Sequence, residues 1–156
     1  KWEKIKKTNP NIKLHMIGKL QTNKVKFAVK IFDYIHSVDS EKLAKKISDE
    51  QIKINKNIKT FIQVNIGEEN QKSGVNLSQL KNLVSYCKEI NLDIIGLMCI
   101  PPSNKKSSSY FKQMYLLNKD FDLLELSMGM SSDYLQASQN SATFLRIGSK
   151  IFGARS

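Results

Sequence analysis

Two short stretches decide between the architectures open to this chain: Leu126-Ser127-Met128-Gly129-Met130-Ser131-Ser132-Asp133 and Arg146-Ile147-Gly148-Ser149-Lys150-Ile151-Phe152-Gly153. Each follows an apolar run and places Gly and Ser where a strand would hand over to a helix. A glycine there lets the backbone come close to a ligand, and free N–H groups together with the positive end of the helix dipole attract an anion. Ser131 and Ser149 can add hydroxyl donors. Serine also caps helices routinely, so one such junction would be unremarkable. Two on successive strands point to a phosphate site.

Outward from these turns, short apolar runs alternate with stretches of helical period, the pattern of βα units and a parallel sheet. Strands are expected at 13–18, 34–38, 60–66, 93–99, 123–127 and 143–147. Helix starts are legible at Asp39-Ser40 before 41–53, at 76–78 before 79–90, and at 107–109 before 110–118, with 101–106 as a loop. The apolar positions Leu77, Leu80, Leu83, Val84 and Cys87 share one helical face, which should pack on the sheet. Six βα units fit either an open doubly wound sheet or an eight-stranded barrel short of two strands. No G-x-G-x-x-G turn follows the first strand, whereas the Gly and Ser signals follow the last two, where a (β/α)8 barrel builds its usual phosphate site. The expected fold is α/β, a (β/α)8 TIM barrel, with residues 1–156 as a single partial domain. The opening Lys1-Trp2-Glu3-Lys4-Ile5-Lys6-Lys7 lacks a methionine and reads as the end of a helix already under way, so the chain is expected to be a fragment.

Composition excludes several classes. At 156 residues and 40% hydrophobic content the chain can bury a core as one domain. Cys87 and Cys99 have no metal-ligand spacing and are expected to be inert buried thiols. No apolar run is long enough to span a bilayer, and no signal-peptide core is present, so a cytoplasmic protein without membrane contact is expected. The net charge of +11 suggests nucleic acid, but Arg occurs only at Arg146 and Arg155 while Lys is spread over nearly every expected helix. That pattern describes a solvated surface better than a recognition stripe. Arg146 stands apart: Phe144, Leu145 and Ile147 surround it, and a guanidinium is not buried cheaply without a partner. It either pairs with a carboxylate or donates to a ligand at the barrel mouth. His15 and His36 lie on apolar strands, where a satisfied core histidine is the ordinary outcome, and His36 is assigned no chemistry.

His15-Met16-Ile17-Gly18-Lys19-Leu20-Gln21-Thr22-Asn23-Lys24 resembles the signature of the pyridoxal phosphate homeostasis proteins, the YggS/PROSC family. His36-Ser37-Val38-Asp39, Gln63-Val64-Asn65-Ile66, Lys72-Ser73-Gly74, Gly96-Leu97-Met98, Ser127 to Ser131 with Asp133, and Arg146 to Ser149 with Ile151 to Arg155 resemble it in the same order. The resemblance covers essentially the whole chain. It implies a barrel of the alanine racemase N-terminal-domain type, binding pyridoxal 5′-phosphate (PLP) at its mouth. The phosphate would be held by Ser131, Gly148 and Ser149 with Met130 nearby, Arg146 would face the pyridine nitrogen, and His15 and Asn65 would line the mouth. An Arg donor there would keep that nitrogen unprotonated and make the ring a weaker electron sink. The family's Schiff-base lysine lies upstream of this chain, so no catalytic residue is assigned. Lacking its first two βα units, the piece is expected to be poorly stable alone and unable to form that covalent link.

The resemblance thus implies a carrier or regulator in PLP (vitamin B6) homeostasis rather than an enzyme, acting as a monomer, with PLP-dependent enzymes as recipients. A PLP-dependent amino-acid racemase is the alternative. It needs acid and base groups on both faces of the substrate α-carbon, one of which related racemases take from a second domain. A basic nucleic-acid-binding module rests on net charge alone.

Overall fold

A computed structural model describes residues 2–69, 71–102 and 107–153. Lys1, residues 103–106 of the expected 101–106 loop, and Ala154 and Arg155 of the C-terminal motif lie outside the described residues. The strands are β1 (His15–Met16), β2 (Tyr34–Val38), β3 (Lys59–Val64), β4 (Ile94–Cys99), β5 (Glu125–Met130) and β6 (Phe144–Arg146). The helices are α1 (Trp2–Thr8), α2 (Val25–Ile31), α3 (Glu41–Lys53), α4 (Leu77–Glu89), α5 (Ser107–Asp120), α6 (Tyr134–Gln139) and α7 (Ser149–Phe152).

All six strands are parallel and lie side by side in chain order, β1 to β6. A doubly wound sheet would reverse its order at a switch point; here every crossover steps the same way, so the helices cover one face. The sheet curls as a barrel wall must. His36 on β2 and Ser127 on β5 are three strands apart, roughly 14 Å in a flat sheet, yet His36 Nδ1 and Ser127 Oγ are 2.8 Å apart. The Phe144 ring on β6 likewise meets His15 on β1 at 5.8 Å between centroids. These contacts correspond to the expected partial barrel.

Side-chain alternation along the strands divides the core into two layers. Ile62, Val64, Leu97, Cys99, Leu126 and Met128 face the helices and pack on Leu43, Ile47, Leu80, Leu83, Val84, Phe111 and Met114. Their neighbours in sequence, Phe61, Gln63, Met98 and Ser127, are buried on the other face, inside the curl. Cys87 and Cys99 are free and buried, and burial pushes both thiols up to about 12, so they stay protonated and inert.

Several boundaries differ from the sequence expectation for physical reasons. α3 begins where expected because Ser40 Oγ accepts the Leu43 N–H. α4 starts at Leu77, two residues earlier than read, because Asn76 takes the extended N-cap conformation. α5 starts at Ser107, since the serines read as a cap form its first turn. β1 pairs over only two residues: as an edge strand it is held from one side. β5 runs on through Gly129 to Met130, three residues past its expected end.

The entry into β1 is fixed by charge. Asp33 Oδ2 accepts from Lys6 Nζ at 2.6 Å and from the Leu14 N–H at 2.9 Å, tying α1 to the residue before His15. Lys56 Nζ donates to the carbonyls of Val29 and Phe32, closing the C-terminal end of α2. Partial burial acts to raise the Asp33 pKa, but the Lys6 and Leu14 hydrogen bonds outweigh it and hold the carboxyl below its ordinary value. A depressed folded pKa contributes stability that is present above the unfolded value and is lost as pH falls through the folded one. Asp33→Asn should therefore lower the urea midpoint at pH 7, and the two midpoints should converge as pH is taken from about 4 downward, as read by circular dichroism.

Candidate functional site

The C-terminal ends of β5 and β6 meet at the rim. Ser131 Oγ, just past β5, accepts the N–H groups of Gly148 at 3.1 Å and Lys150 at 3.3 Å, just past β6. The two turns singled out in the sequence are therefore joined, and Gly148, Ser149 and Lys150 are exposed there. The Ser131 hydroxyl keeps its own proton to donate.

The two glycines do different work. A Cβ on Gly148 would meet nothing within 4 Å, so its backbone is open to close approach. Gly129 is not a ligand-facing glycine, contrary to the sequence reading. Its φ is +88°, and a Cβ would lie 2.5 Å from Ala137 Cβ and 3.1 Å from Leu145 Cδ2. It forms the irregularity in the β5–β6 register that brings Met130 opposite Arg146. Met130 sits exposed at the rim, but its N–H is committed to Asp133 Oδ1 at 2.7 Å. Asn65, just past the end of β3, exchanges hydrogen bonds with the Glu69 backbone through both ends of its amide.

Arg146 pairs with no carboxylate among the described residues. Its Nη1 donates to Ser127 Oγ at 2.8 Å and its Nη2 to the Cys99 carbonyl at 2.7 Å, while Nε is buried without a hydrogen-bond partner among the described residues. Burial lowers its pKa, partly offset by Cys99 and Asp133. From Ser127 the polar chain continues inward to His36 Nδ1 at 2.8 Å, and His36 Nε2 lies 3.0 Å from His15 Nδ1. Aromatic rings enclose it: His36 stacks on Phe61 at 4.3 Å, His15 stacks on Tyr34 at 4.2 Å, and Phe144 sets its edge against His36 and Phe61. Burial, then the His15 ring, then Arg146 push the His36 pKa down to about 3; burial also lowers that of His15, against the pull of Asp33.

The structure thus brings Ser131, Gly148, Ser149 and Met130 to one rim beside Arg146, and links His15 to Arg146 through two residues. Sequence reading missed those two, His36 and Ser127, along with Phe144. The signal was available as period-two alternation: Tyr34 and His36, Phe61 and Gln63, and Phe144 and Arg146 each share one strand face.

The sequence model of the alanine racemase N-terminal domain family matches residues 3–156. The chain belongs to this family. Within it, the chain is 38% identical over 155 residues to a pyridoxal phosphate homeostasis protein of Aquifex aeolicus, covering 93% of this chain and 68% of that protein. It is 34% identical to the protein of the same name from Escherichia coli K12, over 90% of this chain and 64% of that one. The structure of PipY from Synechococcus elongatus with PLP bound superposes with a TM-score of 0.89 at 31% identity, over 97% of this chain and 75% of that one. An alanine racemase from Clostridium difficile shares the fold alone, with a TM-score of 0.74 at 13% identity over 98% of this chain and 42% of that one.

A His36 kept neutral while the unfolded chain takes up a proton destabilises the fold as pH falls below the ordinary histidine value. Between pH 6.5 and 5 the unfolding free energy should drop with a slope approaching about 1.4 kcal/mol per pH unit from this residue. Urea midpoints measured across that range should fall for the native chain, and His36→Gln should flatten most of the dependence.

Proposed function

We propose that this chain binds PLP at the β5–β6 rim and takes part in PLP homeostasis as a carrier or regulator rather than as a catalyst, with residues 1–156 acting as one partial barrel domain. The observation that carries the reading is the Arg146 guanidinium: half-buried, held at two nitrogens by neutral acceptors, and left with a third, buried N–H that has no acceptor among the described residues. A buried donor without a partner is costly unless a ligand supplies the acceptor. A pyridine nitrogen fits that requirement, and the beginning of α7 continues directly from Arg146 to the turn that would meet a phosphate. The names of the pyridoxal phosphate homeostasis relatives and the PLP-bound PipY structure support the choice of ligand.

The Ser131 hydroxyl and the Ser149 backbone would hold the phosphate, with Gly148, its own N–H held by Ser131 Oγ, leaving room for close approach and Met130 beside them; Arg146 would hold the ring, and His15 would lie at the far end of its polar chain. When bound, the cofactor supplies an aldehyde and a ring that can accept electron density. An arginine donor leaves the ring nitrogen without a proton, which limits that acceptance and suits storage better than turnover. His36 contributes no proton exchange near neutral pH because it stays uncharged. No described helix is long and apolar enough to cross a membrane, and at least five lysines, Lys6, Lys45, Lys46, Lys53 and Lys72, are paired with carboxylates. These pairs agree with a solvated basic surface. PLP-dependent enzymes are the proposed recipients.

Equilibrium dialysis of the chain against PLP, with folding monitored by circular dichroism, tests the site. Removing the charged donor in Arg146→Ala should weaken retention by about 10- to 100-fold, and Ser131→Ala by about fivefold. Unchanged retention in both variants would mean that PLP binds elsewhere.

A further inference from the structure

The interior polar chain has a direction that follows from counting protons. Arginine has no lone pair, so Arg146 Nη1 must donate to Ser127 Oγ. Ser127 then has one proton of its own, and among the described residues the remaining partner of its hydroxyl is His36 Nδ1 at 2.8 Å. In the reverse order His36 Nδ1–H would donate to the serine, and the hydroxyl proton would be stranded. Ser127 is 0% exposed, so water does not rescue it. An orphaned buried hydroxyl disfavours that order by roughly tenfold or more.

With Nδ1 accepting, a neutral His36 carries its proton on Nε2 and donates to His15 Nδ1 at 3.0 Å. His15, half-buried at the edge strand, then carries its own proton on Nε2. A cationic His36 would donate from both ring nitrogens, stranding the Ser127 hydroxyl proton as the reverse order does, and it would place a second positive charge in the interior beside the guanidinium and against the Phe61 ring.

We propose that Ser127 and His36 are positioning residues in a one-directional hydrogen-bond relay, Arg146 to Ser127 to His36 to His15, which fixes the guanidinium at the rim and sets His15 as an Nε2–H donor. Both ends of the relay offer donors and neither can accept. A ligand held between or beside them must bring acceptors, which selects the form of a pyridine ring whose nitrogen is unprotonated. This last consequence rests on the PLP reading; the direction of the relay does not.

Long-range proton–nitrogen correlation spectra of the histidine-labelled chain at pH 7, recorded without ligand, read the tautomers directly. Both rings are expected as neutral Nε2–H forms. A proton on Nδ1 of either ring overturns the relay, as does a cationic His36. Ser127→Ala should then populate the second His36 tautomer and, in dialysis, weaken PLP retention about 3- to 10-fold. Altered tautomers with unchanged retention would overturn the positioning role. The expected tautomers in a chain that does not retain PLP would support the relay and defeat the PLP reading instead.

Discussion

A half-buried guanidinium at the end of β6, with no carboxylate bonded to it among the described residues, is the constraint around which the interior is arranged. An unpaired buried charge costs several kcal/mol, on the order of what holds a small domain together. Here the charge is met by dipoles: the Ser127 hydroxyl and the Cys99 carbonyl take two of its nitrogens. Everything the serine touches must then be compatible with receiving its proton, which is why an imidazole stands behind it and a second imidazole behind that. The aromatic rings of Phe61, Tyr34 and Phe144 leave those imidazoles little room to turn.

This arrangement depends on curvature. Ser127, His36 and His15 come from strands that are not all neighbours, and only a sheet that bends back on itself brings them within hydrogen-bond reach. The bend in turn follows from strands laid down in chain order with helices on one side. Gly129 serves the same end locally: its left-handed backbone and its tight contact with α6 shift the register so that the β5 end meets Arg146. The rim turns then fall against each other, with Ser131 bridging to Gly148 and Lys150.

Membership of the alanine racemase N-terminal domain family agrees with this anatomy. The rim is what a barrel of this kind offers to a phosphate. The loop motif around Asn65 and Gly74 is structural instead: Gln63 and Asn65 hold loop backbone, and a Cβ on Gly74 would meet Asn65 N at 2.6 Å. Distinctive residue patterns can therefore mark loop packing as readily as ligand contact.

The amino-acid sequence by itself determined the βα alternation, the six strands in their approximate places, the helical faces that cover them, and the pairing of Gly and Ser at the last two strand ends. These are local properties, set by side-chain period and by what Ser, Gly and Asn do at helix ends. Tertiary structure decided which polar side chains meet. His36 looked like an ordinary core histidine and Ser127 like the end of a strand, because alternation can show which side chains share a strand face but not which two of them, 91 positions apart, will form a hydrogen bond. It decided as well that Gly129 packs while Gly148 stays open, and that Arg146 finds neutral partners rather than a carboxylate. Such outcomes depend on the curl of the sheet, which brings distant residues together only after all its strands are in place.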